Sequence, residues 1–187
     1  MHKVIRHRRK SARTNYRKRI ASLKGGMDRV VVRKSNKAIS MQVVEYSISG
    51  DKVVASANSR ELKAIGWEPR CNTPTAYLTG MLLAKKVGAR KDRIPDFVLD
   101  IGLYRPVKGS VIFAAAKGFK DSDAGLNLHA NIEFDSGRLS GKHISDYAGS
   151  LKEEKYKERF SSYAKSGFDA KDITKKFESV KKELASK

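Results

Sequence analysis

Residues 29–46, RVVVRKSNKAISMQVVEY, contain two β-rich runs on either side of a polar centre. The runs have the composition of strands, and the polar residues 34–37 between them favour a turn. We therefore predict a β-hairpin with a cationic tip. Gly50 and Asp51 supply a second turn before residues 52–57, so three antiparallel strands are expected to form one side of a sheet.

Downstream of this hairpin, helical and strand patterns alternate. Residues 73–88 begin with a Thr-Pro helix start and continue with apolar residues at helical spacing. Residues 97–101 form a short apolar run typical of a strand covered on both faces, and Ser110 is expected to cap a second helix. The predicted fold class is α/β, in which the three antiparallel strands lead into a mixed sheet with packed helices. A last short strand is expected at residues 131–134.

The two ends of the chain are predicted to extend from this domain, the N-terminus as an arm followed by a helix and the C-terminus as helices. Residues 1–10 resemble an extended arm, and a helix is expected from Ser11, as its N-cap, to Leu23. The C-terminal tail carries two apolar stripes at helical spacing. The first stripe is Tyr156, Phe160 and Tyr163, and the second is Ile173, Phe177, Val180 and Leu184.

Positive charge is concentrated at the N-terminus. Residues 1–27 hold ten Lys or Arg and no carboxylate, in a chain with a net charge of +20. Uncompensated cations are what a protein needs to neutralise phosphates, whereas a basic surface that is merely soluble mixes acids among its lysines. Nucleic acid is therefore the predicted partner, and the arm is expected to be disordered when free because its charges repel. The predicted domains are a basic RNA-binding arm and short helix (1–27), an α/β core (28–140) and a helical extension (141–187).

Several other classes of protein are disfavoured. The single cysteine, Cys71, cannot form an internal disulfide or a zinc ribbon, so a reducing intracellular compartment is expected. The chain shows no secretory leader and no stretch long enough to span a bilayer, so neither secretion nor membrane insertion is expected. No metal site or cofactor is predicted, because the histidines lack ligand-like spacing. They are His2, His7, His129 and His143.

Two short motifs could bind a nucleic-acid backbone. The hairpin tip places Arg33, Lys34, Ser35, Asn36 and Lys37 together, where the cations can contact phosphates and the amide can reach 2′-hydroxyls. A solvated turn is the alternative interpretation of this tip. The second motif is a cationic loop before a helix N-terminus, which is receptive to phosphate but common in proteins. It consists of Arg105, Pro106, Val107, Lys108, Gly109 and Ser110.

Two aromatic residues could stack on unpaired bases or could serve as packing residues. Trp67 is the only tryptophan, and we favour a core position for it. Tyr16 lies among arginines, and both roles stay open for it.

An RNA-cutting enzyme is the alternative functional class. Three antiparallel strands followed by helix, strand and helix is an order shared with ribonuclease-H-like nucleases, whose site needs clustered carboxylates to hold two divalent cations. The first strand here presents Arg33 and Lys34 where an acid would be needed. Asp100 and Glu45 remain as carboxylates, and we expect them to pair with neighbouring donors.

A series of ordered blocks resembles the archaeal and eukaryotic branch of the L-eighteen ribosomal proteins, and the absence of long insertions is typical of an archaeal member. The match extends over roughly residues 6–148. The blocks are RVVVRKSNK (29–37), SANSRELK (56–63), NTPTAYLTG (72–80), LDIGL (99–103), RPVKGS (105–110) and GKHI (141–144).

The resemblance implies a structural, non-enzymatic protein of the cytoplasmic ribosome. Family members bind 5S ribosomal RNA and, with a second 5S-binding protein, help anchor it to large-subunit RNA in the central protuberance. It implies no cofactor, no small-molecule substrate and no membrane partner, whereas neighbouring ribosomal proteins are expected partners. The implied RNA contacts are Arg6, Arg8, Arg9, Lys10, Arg13, Tyr16, Arg17, Arg19, Arg33, Lys34, Ser35, Asn36, Lys37, Asn72, Thr73, Arg105, Lys108, Gly109, Ser110, Lys142 and His143.

Overall fold

A five-stranded mixed sheet forms the centre of the protein. A computed structural model of the chain describes residues 7–11, 14–88, 96–122, 127–130 and 132–186. The strand order is β3-β2-β1-β4-β5, which confirms the predicted α/β class. The strands are β1 (Asp28–Lys34), β2 (Ile39–Glu45), β3 (Lys52–Asn58), β4 (Asp96–Asp100) and β5 (Asn127–His129).

The predicted hairpin is confirmed. β1 and β2 pair antiparallel with Val32 opposite Met41, and β2 pairs antiparallel with β3. The turn between β1 and β2 is closed by Ser35, whose hydroxyl accepts a hydrogen bond from the Ala38 amide at 3.0 Å. The Ser35 hydroxyl also donates to the Ala38 carbonyl at 3.0 Å. This side chain therefore fixes the tip before any ligand binds.

The remaining strands are added in parallel. β4 pairs parallel with β1, and β5 pairs parallel with β4. Each is reached by a crossover helix, α3 (Thr73–Gly88) and α4 (Val111–Lys120), as expected. Because β1 and β3 are both antiparallel to β2, the strands β1, β3 and β4 share one direction. Their carboxyl ends therefore lie at one edge of the sheet, together with the N-termini of both helices. We call this the carboxyl edge.

The core lies between the sheet and the two crossover helices. Val30 and Val32 of β1 are fully buried beneath them. The helices cross at two glycines, because a Cβ on Gly80 would meet the Ala115 carbonyl and a Cβ on Gly118 would meet the Tyr77 carbonyl. Arg29, Val31 and Arg33 alternate with the buried valines and occupy the opposite face of the sheet.

The N-terminal elements differ from the prediction. The described residues form a single turn, α1 (His7–Lys10), where an extended arm was expected, and α2 (Tyr16–Lys24) begins five residues after Ser11. Ser11 instead ends the first turn, since its amide and hydroxyl both donate to the His7 carbonyl. Asn15 is the N-cap of α2, because its side chain accepts from the Lys18 amide at 3.1 Å.

The last strand was predicted at the wrong residues. β5 lies at Asn127–His129, where Leu128 pairs with Phe97 and is 1% exposed. The described residues of the predicted segment, 132–134, have no strand structure, although Ile132 is buried. Residue 131 lies outside the described residues. Residues 127–129, and not residues 132–134, therefore form the last strand, because Leu128 pairs with β4 and is buried there.

The C-terminal extension packs on the core. It follows α5 (Ser136–Ser140), and its helices are α6 (Lys142–Ser150), α7 (Glu153–Arg159), α8 (Ser161–Lys165) and α9 (Ile173–Ser186). The predicted stripe of α9 is buried along its whole length and contacts α3. Trp67 is 1% exposed, which confirms a core position, and its ring lies edge-on to Phe168 and Phe177.

Within the described part of the chain, no helix combines the length and apolar character needed to cross a membrane.

Candidate nucleic-acid interface

The hairpin tip and the loop after β4 meet at the carboxyl edge. Arg33 donates to the Asp100 carbonyl at 2.8 Å and to its carboxylate at 3.1 Å. Tyr104 donates its hydroxyl proton to the Lys34 carbonyl at 2.8 Å, and the Lys34 ammonium lies 5.8 Å from the centre of the Tyr104 ring. The loop after β4 therefore contacts the tip through Asp100 and Tyr104, which come just before the 105–110 motif in the sequence, so that the loop and the tip form one surface.

The cations of this surface are mostly exposed. Lys34 and Lys37 project from the tip, and Arg105 and Lys108 project from the loop. Asn36 is also exposed between the tip cations. Such a group of separated cations around a hydrogen-bonding amide is suited to a sugar-phosphate backbone.

The other predicted residues of these motifs have structural contacts. Ser35 closes the hairpin turn, and Arg33 is held by Asp100 while its side chain remains 45% exposed. Gly109 has a φ of 74°, in the left-handed region that favours glycine. Ser110 occupies the N-cap position of α4, but it makes no side-chain capping hydrogen bond.

Asn72 and Thr73 lie at the start of α3, and neither projects freely into solvent. The side-chain oxygen Oδ1 of Asn72 accepts from the Thr75 amide at 3.1 Å, and the side-chain nitrogen Nδ2 donates to the Tyr163 hydroxyl at 3.1 Å. Thr73 is only 7% exposed. Burial raises the pKa of Tyr163 to about 12, so its hydroxyl stays protonated. These contacts fix the C-terminal extension to the core and leave little of either residue for RNA.

Lys142 and His143 lie beside the N-terminus of α3. Both are exposed at the start of α6, directly after Gly141, which packs against Pro74. Burial and the charge of Arg138 lower the pKa of His143. Both effects favour the neutral imidazole in the free protein, and a neutral imidazole can still hydrogen-bond to RNA.

Helix α2 lies at the other end of β1 from the tip. Arg19 pairs with Asp51, in the turn between β2 and β3, at 2.7 Å. Arg17 is exposed and Tyr16 is half-buried. A seven-residue strand is roughly 23 Å long, so α2 and the tip could contact separate parts of one RNA. Lys10 is exposed in α1, whereas Arg6 and Arg13 and the side chains of Arg8 and Arg9 lie outside the described residues.

A row of alternating charges joins these two ends of the protein. Arg29 is 4% exposed and lies between two acids, at 2.8 Å from Asp51 and 3.3 Å from Asp100. With Arg19 and Arg33 at its ends, the row contains five side chains of alternating sign. Partial burial would raise the pKa of Asp51, but Arg29 and then Arg19 outweigh this effect and hold its pKa below the ordinary value.

This charge row is not evident from the amino-acid sequence. The only available signal was strand alternation, which puts Arg29 and Arg33 on one face of β1 because residues i and i+2 share a face. The two acids come from distant turns, so nothing local pairs them with these arginines.

The geometry does not support a nuclease site. Asp100 accepts from Arg29, Arg33 and the Gly102 amide, so its oxygens are already bonded to donors. Glu45 is on β2, which β1 separates from β4, and the strand registers put it three positions away from Asp100 along the sheet. The described residues contain no group of three side chains suited to a metal ion.

Comparison with known proteins agrees with the sequence resemblance. The sequence model of the family described as "Ribosomal large subunit proteins 60S L5, and 50S L18" matches residues 1–94. "Large ribosomal subunit protein uL18" of Thermofilum pendens is 40% identical over 187 residues, covering 98% of this chain and 94% of that protein. The protein of the same name from Ignicoccus hospitalis is 43% identical over 189 residues, covering 98% and 91% respectively. The chain therefore belongs to the uL18 family of large ribosomal subunit proteins.

Proposed function

We propose that the protein binds 5S ribosomal RNA and helps anchor it to large-subunit RNA in the central protuberance. Its family is that of a structural protein of the large ribosomal subunit, not of an enzyme, and in archaea this subunit is part of the cytoplasmic ribosome. The observation that most supports direct RNA binding is the meeting of the hairpin tip and the loop after β4 at the carboxyl edge.

The proposed RNA interface has two parts. At the carboxyl edge, the exposed cations bind phosphates, Asn36 bonds to sugar or base edges, and the N-terminus of α4 adds a favourable dipole. At the far end of β1, the basic residues 1–27 bind a second stretch of backbone as a distinct RNA-binding arm. Lys142 and His143 extend the carboxyl edge past α3. We leave out Asn72, whose side-chain amide bonds within the protein, and Thr73, which is only 7% exposed.

Neighbouring ribosomal proteins, including the second 5S-binding protein, are proposed as further partners. The turn between β2 and β3 exposes apolar side chains, which cannot bind RNA phosphates. Tyr46 is 53% exposed and Ile48 is 97% exposed. An exposed apolar group of this kind is typical of a protein contact.

The RNA interface is tested by neutralising its four exposed cations. We expect Lys34→Gln, Lys37→Gln, Arg105→Gln and Lys108→Gln together to weaken binding to 5S ribosomal RNA at least about 100-fold. The dependence of log Kd on log salt should also become less steep, by roughly 0.9 for each duplex phosphate that is no longer neutralised. Filter binding at a series of salt concentrations measures both quantities.

A charge-matched variant distinguishes binding at the proposed interface from a general electrostatic attraction between the basic chain and RNA. Lys155→Gln, Lys157→Gln, Lys165→Gln and Lys182→Gln remove the same charge from exposed positions of the C-terminal helices. We expect this control to bind RNA within about threefold of the wild type because its cations are outside the site. Equal losses in the two variants would contradict the proposed interface.

A further inference from the structure

Asp100 is an acid at the centre of the cationic surface. It ends β4, and its carboxylate accepts from the Arg33 guanidinium at 3.1 Å and from the Gly102 amide at 2.8 Å. Its other carboxylate oxygen lies 3.3 Å from the buried Arg29. Its carbonyl accepts a second bond from Arg33 at 2.8 Å. One residue therefore orients both an arginine of the tip and the first turn of the loop.

Gly102 allows this arrangement. Its φ is 64°, and a Cβ at this position would lie 2.9 Å from the central carbon of the Arg33 guanidinium. The guanidinium thus packs directly against the loop backbone. Arg33 also donates to the Val32 carbonyl at 2.8 Å, so its position is defined from several sides.

Tyr104 extends the connection to the next residue of the tip. Its hydroxyl donates to the Lys34 carbonyl, and its ring lies beneath the Lys34 ammonium. The tip and the loop carry like charges that repel when they approach. An acid at their junction offsets this repulsion, while the outer cations stay exposed for phosphate.

We propose that Asp100 is a positioning residue of the RNA interface, which acts through Arg33 and Gly102 to hold the tip and the loop in one geometry. This inference rests on the proposed binding of 5S ribosomal RNA. Simple electrostatics makes the opposite prediction, because removing a negative charge from a cationic surface should strengthen the binding of a polyanion. The sign of the effect therefore distinguishes positioning from charge alone.

The test is the affinity of the full chain carrying Asp100→Asn for 5S ribosomal RNA. We expect binding at least about tenfold weaker than wild type, a change of about 1.4 kcal/mol. Glu178→Gln makes the same charge change on an exposed position of α9 and should leave the affinity unchanged or slightly tighter. Unchanged or tighter binding by the Asp100 variant would overturn the proposal.

A double-mutant cycle separates positioning from loss of stability. If Asp100 acts through Arg33, then Asp100→Asn should weaken binding much less in an Arg33→Gln background than in the wild type. Additive effects would show that the two residues act independently, against the proposal. Wild-type protein that fails to bind 5S ribosomal RNA would instead overturn the proposed function.

Tyr104→Phe provides a second variant that keeps every charge and every Asp100 contact. It removes only the hydrogen bond to the Lys34 carbonyl, and we expect binding about threefold weaker, the cost of one modest hydrogen bond. Circular dichroism verifies that each variant is folded. If Asp100→Asn does not fold, Gly102→Ala decides, because it keeps every charge while its Cβ would lie 2.9 Å from the central carbon of the Arg33 guanidinium and would push that side chain away from Asp100. An affinity of Gly102→Ala equal to wild type would then overturn the proposal.

Discussion

At the scale of single residues, the buried Arg29 is the most demanding side chain of the protein. A guanidinium that is 4% exposed needs nearby negative charge, because burial removes its hydration. Asp51 and Asp100 supply that charge from two different turns. Each acid also binds a second arginine nearer the surface, so the ion pairs of Arg29 connect the two parts of the proposed interface along the sheet face opposite the core.

Asp51 should contribute to stability in a pH-dependent way. Its pKa is lower in the folded chain than its ordinary value of 3.8, so the unfolded chain takes up the proton first on acidification. The contribution of this carboxylate is therefore complete at neutral pH and is lost as pH falls through the folded pKa, below 3.8. We expect Asp51→Asn to lower the free energy of unfolding by about 2 kcal/mol at pH 7.

Urea unfolding at several pH values checks this prediction. The difference between wild type and Asp51→Asn should be constant from pH 7 to about 5 and should shrink as the pH is lowered further, through 3.8 and below. Glu178→Gln, on an exposed position of α9, should show little difference at any pH. A constant difference for the Asp51 variant would mean that its carboxylate stabilises the fold through shape and not through charge.

At the scale of secondary-structure elements, the close crossing of α3 and α4 fixes the two helices that start at the carboxyl edge. Both helices start at that edge, and Gly80 and Gly118 let their backbones approach. We expect Gly118→Ala to lower the free energy of unfolding by about 3 kcal/mol, because the new methyl group meets backbone atoms that cannot move aside. A thermal melt followed by circular dichroism measures this loss.

Gly149→Ala is a matched control for that substitution. Gly149 is also helical, in α6, but a Cβ there has no atom within 4 Å. We expect this variant to be as stable as wild type or more stable by about 0.5 kcal/mol, since alanine favours the helix. Similar losses in both variants would show that the helix crossing is not the cause.

The elements that could be predicted from the sequence are those with local signals. The hairpin over 29–46 and the helix over 73–88 have both their period and their end signals within a few residues. The start of α2 could not be predicted because Ser11 and Asn15 are both good N-caps, and the contact of Asn15 to Lys18 decides between them. β5 was misplaced because its position depends on pairing with distant Phe97.

The candidate site was predictable in its parts but not in its assembly. The tip and the loop each carry a local composition that favours phosphate binding. Their meeting depends on the Arg33–Asp100 contact across 67 residues, and the tertiary fold also engages Asn72 with Tyr163. Composition therefore identified cations but could not separate exposed ones from those bonded within the protein.

At the scale of the whole molecule, the two ends of the chain differ in how much apolar surface they bury against the core. The C-terminal extension buries a series of large apolar side chains, and α9 lies against α3. They are Tyr163, Phe168, Ile173, Phe177, Val180 and Leu184. In contrast, no residue of α2 is buried. The C-terminus is therefore expected to stabilise the fold, and the N-terminus to serve binding.

A pair of deletions tests this division. Removing residues 151–187 exposes Trp67 and deletes apolar contacts worth on the order of 10 kcal/mol, which is comparable to the total stability of a small domain. We expect that variant to be unfolded at 25 °C, with red-shifted Trp67 emission. Removing residues 1–24 deletes ten cations, yet it should leave the melting temperature within about 5 °C of the wild type because none of the removed side chains that the structure describes is buried.

The N-terminal deletion should instead affect RNA binding. Its affinity for 5S ribosomal RNA should fall by at least about 100-fold at moderate salt, and its salt dependence should become less steep, since each phosphate contact contributes roughly 0.9 to the slope. Filter binding and a thermal melt on the same preparation measure both properties. A deletion that unfolds the core, or that leaves the salt dependence unchanged, would contradict the assignment of residues 1–24 to binding. If residues 1–24 form a separate RNA-binding arm, the deletion must lower the affinity for RNA and make its salt dependence less steep while the melting temperature stays unchanged.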